Sequence, residues 1–139
     1  MTFKLIPFAL AGSVVLLSGC ASADVPSLAG RSMMWAEVIS KDCEIPPEVE
    51  FGKNGELTGN TACNPLSGTY VQDGSKVDFS GAQTGKRTCG PKLMEVENRL
   101  MKNLKAARSV KFDGDKVTFA DAQGKTLMTL VPMQPGSCD

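Results

Sequence analysis

Five cysteines carry the most distinctive chemistry in this chain of 139 residues, at positions 20, 43, 63, 89 and 138. A thiol can be acylated, oxidised to a disulfide or bound to a metal ion, and its thiolate can act as a nucleophile. The sequence contains no histidine, which is the commonest metal ligand and a frequent general base. Which of these reactions each cysteine undergoes therefore depends on the neighbouring residues and on the redox conditions of its compartment.

Cys20 ends a short apolar leader. Lys4 is the only charged residue before it, and the apolar run from Leu5 to Leu17 is shorter than the roughly 20 residues that a membrane-spanning helix needs. This pattern is typical of a secretory signal. The exit, Leu17-Ser18-Gly19-Cys20, resembles a bacterial lipobox. The sequence therefore predicts a signal peptide over residues 1–19 and acylation of Cys20 by fatty acids such as palmitate; the alternative is an ordinary signal with an unrelated cysteine at its end.

Acylation of Cys20 would make the membrane the first partner of the protein. Each buried acyl methylene contributes about 0.8 kcal/mol, so two or three chains anchor durably. Ala21 follows the cysteine, which by resemblance to Gram-negative lipoproteins predicts the outer membrane, facing the periplasm. Residues 20–27 are then the lipidated N-terminus and a short tether. The balance of 15 basic and 15 acidic residues argues against nucleic acid as a partner, and a monomer is the default expectation.

The four cysteines after Cys20 predict two disulfides, because an even number in an exported chain reads as a disulfide framework with three possible connectivities. A metal site is the weaker alternative, since the chain has neither a Cys-x-x-Cys spacing nor a histidine. Without histidine, Ser-His and Cys-His nucleophile arrangements are excluded as well. We therefore predict no catalytic residue, no metal and no cofactor. An enzyme or protease inhibitor of unfamiliar type is a remote alternative.

The segments between these cysteines predict an antiparallel sheet. Asn54-Gly55, Asp73-Gly74 and Asp113-Gly114 each separate two short apolar stretches, and such pairs favour tight hairpins because they adopt positive φ. A fourth turn is predicted at residues 121–124. The first two strands are predicted over residues 34–39 and 48–51. Successive hairpins indicate an antiparallel sheet, because parallel strands need long crossovers.

One segment predicts a helix instead. From Pro91 to Ala107 the apolar residues recur every three or four positions, which is helical spacing. Pro91 suits the first turn, and Thr88 is the predicted cap. The stripe most simply packs on the sheet, although a helix lying on a membrane is an alternative. The predicted fold is α+β: a curved antiparallel sheet, or partial barrel, of consecutive hairpins with one amphipathic helix packed on it.

The segment from Gly59 to Tyr70 carries a more specific pattern. It reads Gly-x-x-x-Cys-Asn followed by Gly-x-Tyr, and Cys89 and a helix rich in glutamate and leucine come after it. This combination resembles the META/HslJ family of bacterial envelope proteins. The resemblance covers residues 28–131 and leaves 132–139 as a C-terminal tail. Three departures are the late position of Trp35, the basic segment before Cys89, and the presence of Cys43 and Cys138 outside the family pattern.

The resemblance implies roles for individual residues. We interpret Gly59, Asn64, Gly68 and Tyr70 of the motif as structural and not as ligand-binding residues, and the resemblance pairs Cys63 with Cys89. Such a disulfide closes a loop of about 25 residues and contributes around 3 kcal/mol in the chain-entropy model. The leftover pair, Cys43 with Cys138, would tie the tail to the region of the first strand.

The resemblance also implies a function. Members of the family are associated with heat shock and with tolerance of antibiotics such as novobiocin, so we expect a non-enzymatic, membrane-anchored envelope protein of the stress response. The alternative is a periplasmic module that recognises a protein or peptide, similar to the lipoproteins that pilot secretion components. Such a module would use an exposed sheet edge, which is a template for an added strand, or the groove between helix and sheet.

Overall fold

The computed structural model describes residues 24–38 and 46–134. They form one curled antiparallel sheet of ten strands with a single α-helix packed on it, as the sequence predicts. The helix α1 is Pro91–Ala106. The strands are β1 Arg31–Trp35, β2 Glu48–Phe51, β3 Glu56–Asn60, β4 Pro65–Thr69, β5 Val71–Asp73, β6 Lys76–Asp78, β7 Gln83–Thr84, β8 Ser109–Asp113, β9 Lys116–Ala120 and β10 Thr126–Pro132. The predictions for the leader, Cys20, Cys43 and Cys138 lie outside the described residues.

The predicted hairpins are present. The turns at Gly55, Gly74 and Gly114 join β2 to β3, β5 to β6 and β8 to β9. All three glycines have positive φ, as tight hairpin turns require. The turn at residues 121–124 joins β9 to β10. Local turn chemistry therefore accounts for most of the strand connections.

The first strand differs from its prediction over residues 34–39. β1 covers Arg31–Trp35, and a short 3₁₀ helix, Ala36–Val38, follows it. The register explains where β1 ends along β2, because Met34 lies opposite Glu48 and the next partner would be Pro47. A proline cannot donate to a strand ladder. Only its carbonyl is available, and it accepts a bond from Trp35 N at 3.1 Å.

Tyr70 lies where the two ends of the sheet meet. The strand order is β5-β6-β8-β9-β10-β1-β2-β3-β4-β7. β5 therefore lies at one end and β4 next to the last strand at the other, although Tyr70 alone separates β4 from β5 in the chain. The sheet must curl for this to happen. Phe51 on β2 and Phe119 on β9 are three strands apart, which is about 14 Å in a flat sheet. Their ring centroids are 6.4 Å apart, which confirms the predicted curvature.

The helix also matches its prediction, except at its start. Gly90 is the N-cap, and no side chain caps the helix. The Thr88 cap was wrong because Pro91 is the first helical residue, which makes the residue directly before it the cap. Leu100 and Leu104 are fully buried. They join the aromatic side chains of the sheet in one core between helix and sheet.

Candidate functional site

A buried polar cluster lies where the β3–β4 loop meets α1. We call its members Thr61, Asn64 and Glu97 the polar node; their exposed fractions are 0%, 2% and 6%. Thr61 and Asn64 belong to the loop that the family motif covers, whereas Glu97 comes from the second turn of the helix. A carboxyl group removed from water must find hydrogen-bond donors inside the protein, because its burial is otherwise costly.

The donors to Glu97 are an amide and a hydroxyl. Asn64 Nδ2 donates to Glu97 Oε2 at 2.9 Å and lies 3.2 Å from Oε1. Thr61 Oγ1 donates to Glu97 Oε2. Neither donor carries a charge, so hydrogen bonds alone compensate for the burial of the carboxyl group.

Asn64 also holds the segment that leads into the helix. Its Nδ2 donates to Arg87 O at 2.9 Å, and its Oδ1 accepts a bond from Arg87 N at 2.8 Å. Beside these bonds, Cys63 and Cys89 form a disulfide with a Cα–Cα distance of 5.9 Å, the pairing that the family resemblance implied. Met94 Sδ lies 3.7 Å from Cys63 Sγ. The loop is thus fastened to the helix entrance covalently and by hydrogen bonds.

The donors and acceptors of the node are used within the protein. The two amide hydrogens of Asn64 serve Glu97 and Arg87 O, and its oxygen serves Arg87 N. An arrangement of this kind fixes backbone positions and leaves the amide no free hydrogen to donate to a ligand. Within residues 24–38 and 46–134, no group of three or more side chains of the metal-binding types comes together. The same part of the chain has no helix with the length and apolarity needed to cross a membrane.

Two glycines of the family motif lie at close backbone approaches. A Cβ on Gly59 would overlap the carbonyl oxygen of Glu48, and one on Gly68 would overlap that of Gly81. Their φ angles are 150° and 130°, a region that side chains disfavour. Both glycines therefore permit backbone contacts that any larger residue would break.

A second candidate site lies where the N-terminal segment crosses the sheet edge. We call it the N-terminal groove; its volume is about 430 Å³. Its lining includes Val25, Ser27, Lys53, Tyr70, Val71 and Gln72.

Gln72 holds one wall of this groove in place. Its Oε1 accepts a bond from Leu28 N at 2.8 Å, and its Nε2 donates to Pro26 O at 2.9 Å. The amide thus pairs with the N-terminal segment as a neighbouring strand would. The Leu28 side chain is fully buried in the hydrophobic core, which holds the same segment against the domain.

Tyr70 forms the inner wall of the groove. Its hydroxyl donates to Gly52 O at 2.8 Å, and its ring packs edge-on against Phe51, with the centroids 5.2 Å apart. Burial, and to a smaller extent the negative charge of Glu56, raises the pKa of Tyr70 above its ordinary value. The phenol is therefore a neutral donor that links the β4–β5 connection to the end of β2.

The sequence predictions missed Glu97 and Gln72. Glu97 had a detectable signal, because it lies four residues after Leu93 and three before Leu100, on the apolar stripe of α1. A carboxyl group on that stripe must be buried and needs donors. Gln72 had none, since its partners precede it by more than 40 residues.

The comparisons with known proteins agree with this architecture. Residues 29–134 match the family model of the META domain. The heat shock protein HslJ of Escherichia coli (strain K12) is 23% identical over 118 residues, which cover 78% of this chain and 84% of that protein. An NMR structure of a protein from Burkholderia xenovorans has a TM-score of 0.59 at 18% identity and covers 94% of this chain and 100% of its own. Another NMR structure has a TM-score of 0.59 at 24% identity, covering 74% and 89%. These structural likenesses support the fold.

Proposed function

The chain belongs to the META domain family, as its motif predicts, and we propose that it is a lipid-anchored protein of the bacterial envelope. In this proposal it maintains the envelope under heat or antibiotic stress of the novobiocin type, by binding or scaffolding. The observation that carries the anchoring is the leader that ends in Leu17-Ser18-Gly19-Cys20. Similarity to a protein named as a heat shock protein supports the stress role.

The geometry of the polar node supports a role other than catalysis. A general base or nucleophile needs a free lone pair or proton within reach of a substrate. In the node, the amide, hydroxyl and carboxyl groups instead form hydrogen bonds with one another and with the backbone of Arg87. The polar node therefore stabilises the fold, and we place any binding function on the surface of the domain.

The proposal is tested by deleting the gene and measuring survival under heat and novobiocin. The deletion strain is complemented with wild type, with Cys20→Ser, and with Ser18→Ala as a matched control that keeps the small exit residue. We expect sensitivity that wild type and Ser18→Ala correct and that Cys20→Ser, at equal protein level, does not. Mass spectrometry of the N-terminal peptide measures acylation directly. Normal tolerance of the deletion strain, or an unacylated Cys20, would contradict the proposal.

One observation favours recognition of an extended peptide as a second candidate function. β5 is an edge strand that pairs only with β6 among the described strands, and its Val71 side chain is 63% exposed. An edge strand offers unpaired backbone groups to an added strand. A photoreactive residue at position 71, activated in intact cells, should then label one protein along β5. Labelling spread over many proteins would count against this candidate.

A further inference from the structure

We infer that the N-terminal groove faces the lipid bilayer and that its exposed apolar side chains insert among the phospholipid headgroups. This inference rests on the proposed acylation of Cys20, and it adds an orientation that anchoring alone does not require. A protein on a long tether would present every face to the membrane in turn. Three features of this chain restrict that freedom.

The first feature is the point at which the chain leaves the domain. Gln72 bonds both Pro26 O and Leu28 N, and Arg31 Nε donates to Ser27 O at 2.7 Å. Three consecutive residues of the N-terminal segment are therefore held against the domain. The tether ends at Pro26, on the rim of the groove.

The second feature is the short distance from that point to the proposed anchor. Six residue steps separate Cys20 from Pro26, and even fully extended they span only about 20 Å. The headgroup region of one leaflet is roughly 5 to 8 Å thick. The acylated cysteine would lie in that region, so the tether keeps the rim of the groove within about 20 Å of the headgroups.

The third feature is the chemistry of the groove. In the described part of the chain, the exposed large hydrophobic side chains are Val25 and Val71, at 41% and 63%. Both line this groove, together with Lys53. Apolar side chains beside a cation suit a membrane interface, where acyl chains begin below anionic phosphates. A bilayer is thus the occupant whose chemistry and position both match.

The test places a fluorescent reporter on the groove of the full lipidated protein. Val71→Trp is compared with Gln123→Trp. Gln123 lies in the exposed turn between β9 and β10, which are the third and fourth strands from β5 in the sheet. Each protein is reconstituted into vesicles of zwitterionic and anionic phospholipid whose acyl chains are brominated. Trp35 is fully buried and present in both variants, so the unsubstituted protein supplies the baseline.

In Val71→Trp, we expect the emission maximum of the introduced tryptophan to shift to shorter wavelength and its intensity to fall through bromine quenching. In Gln123→Trp we expect neither change. Adding Lys53→Glu to the Val71→Trp variant should reduce the quenching, because the phosphate attraction is lost. Equal quenching at the two positions would overturn the inference and leave the groove open to an aqueous partner such as a peptide.

Flotation of the same vesicles separates this inference from the proposed function. Protein that floats with the vesicles but shows no preferential quenching is anchored with another face toward the membrane, which overturns the inference alone. Protein that does not float lacks the anchor, which overturns the proposed function and this inference together.

Discussion

The polar node and the N-terminal groove each use one side-chain amide to join distant segments, but their surroundings differ. Asn64 is 2% exposed and lies beside a disulfide. Gln72 is half-buried and holds an open groove. In the node the polar groups satisfy one another, and the result is a fixed junction. In the groove the amide holds one wall, and the apolar and cationic side chains around it stay available for a partner.

The difference should appear as a difference in free energy. When a buried hydrogen bond loses one partner, the groups left behind stay unsatisfied, whereas water replaces a partner lost at the surface. Deleting one amide should therefore destabilise the node far more than the groove, although each amide makes a similar number of bonds.

The largest expected effect is that of Asn64→Ala. The substitution leaves Glu97 without its amide donor and Arg87 without two backbone bonds, so we expect a loss of about 3 to 5 kcal/mol in the free energy of unfolding. The matched variant is Gln72→Ala, for which we expect about 1 kcal/mol. Urea denaturation followed by the fluorescence of Trp35, the only tryptophan, measures both. Equal losses would show that the two amides do not differ as their burial implies.

The next effect concerns the disulfide of the node. It joins residues 26 apart in the sequence, and its removal in Cys63→Ala/Cys89→Ala should cost about 3 kcal/mol. The background is Cys43→Ala/Cys138→Ala, in which the node pair is the only pair left after Cys20.

Reduction provides the control for the disulfide prediction. In that background, dithiothreitol should lower the urea midpoint of the protein that keeps Cys63 and Cys89. It should not change the midpoint of the protein that lacks them. A response to the reductant in both would assign the effect to something other than this bond.

Turn residues and apolar spacing in the sequence predicted which strands and helices form better than where each of them begins and ends. Asn-Gly and Asp-Gly pairs identified the hairpins, and a three-four spacing identified α1 from Pro91 onward. The end of β1 was not predictable locally, because it depends on which residue Trp35 meets across the sheet. That partner is Pro47. The sequence of a single strand does not determine which residues it will pair with.

The two candidate sites were predictable to different degrees. The family motif pointed to Cys63, Asn64 and Tyr70, but it gave no reason for the closeness of Asn64 to Glu97, which is 33 residues further along the chain. The two residues meet because α1 packs on the sheet beside the β3–β4 loop, and that packing depends on core residues from the whole domain. The groove was not predicted, since it exists only where β5 meets the N-terminal segment.

The smallest expected effect tests how well the inner wall of the groove excludes water. Tyr70 is the only tyrosine, so phenolate absorbance reports this residue alone. Burial first, and Glu56 second, raises its pKa, so the midpoint should lie above 10 in the folded protein and fall to about 10 in urea. Because the folded state holds this proton more tightly, Tyr70 contributes stability that is complete below pH 10 and is lost as the pH rises through the folded pKa.

The contribution of charge to this shift is separable. Glu56→Gln removes the smaller of the two causes, so the midpoint should move part of the way toward 10 and remain above it. Glu50→Gln, on the neighbouring strand β2, is the matched control and should leave the midpoint unchanged. A midpoint that is the same in folded and unfolded protein would mean that water reaches the hydroxyl of Tyr70. The groove would then extend to the place where the two ends of the sheet meet. The groove and the polar node would in that case differ only in how much water reaches them.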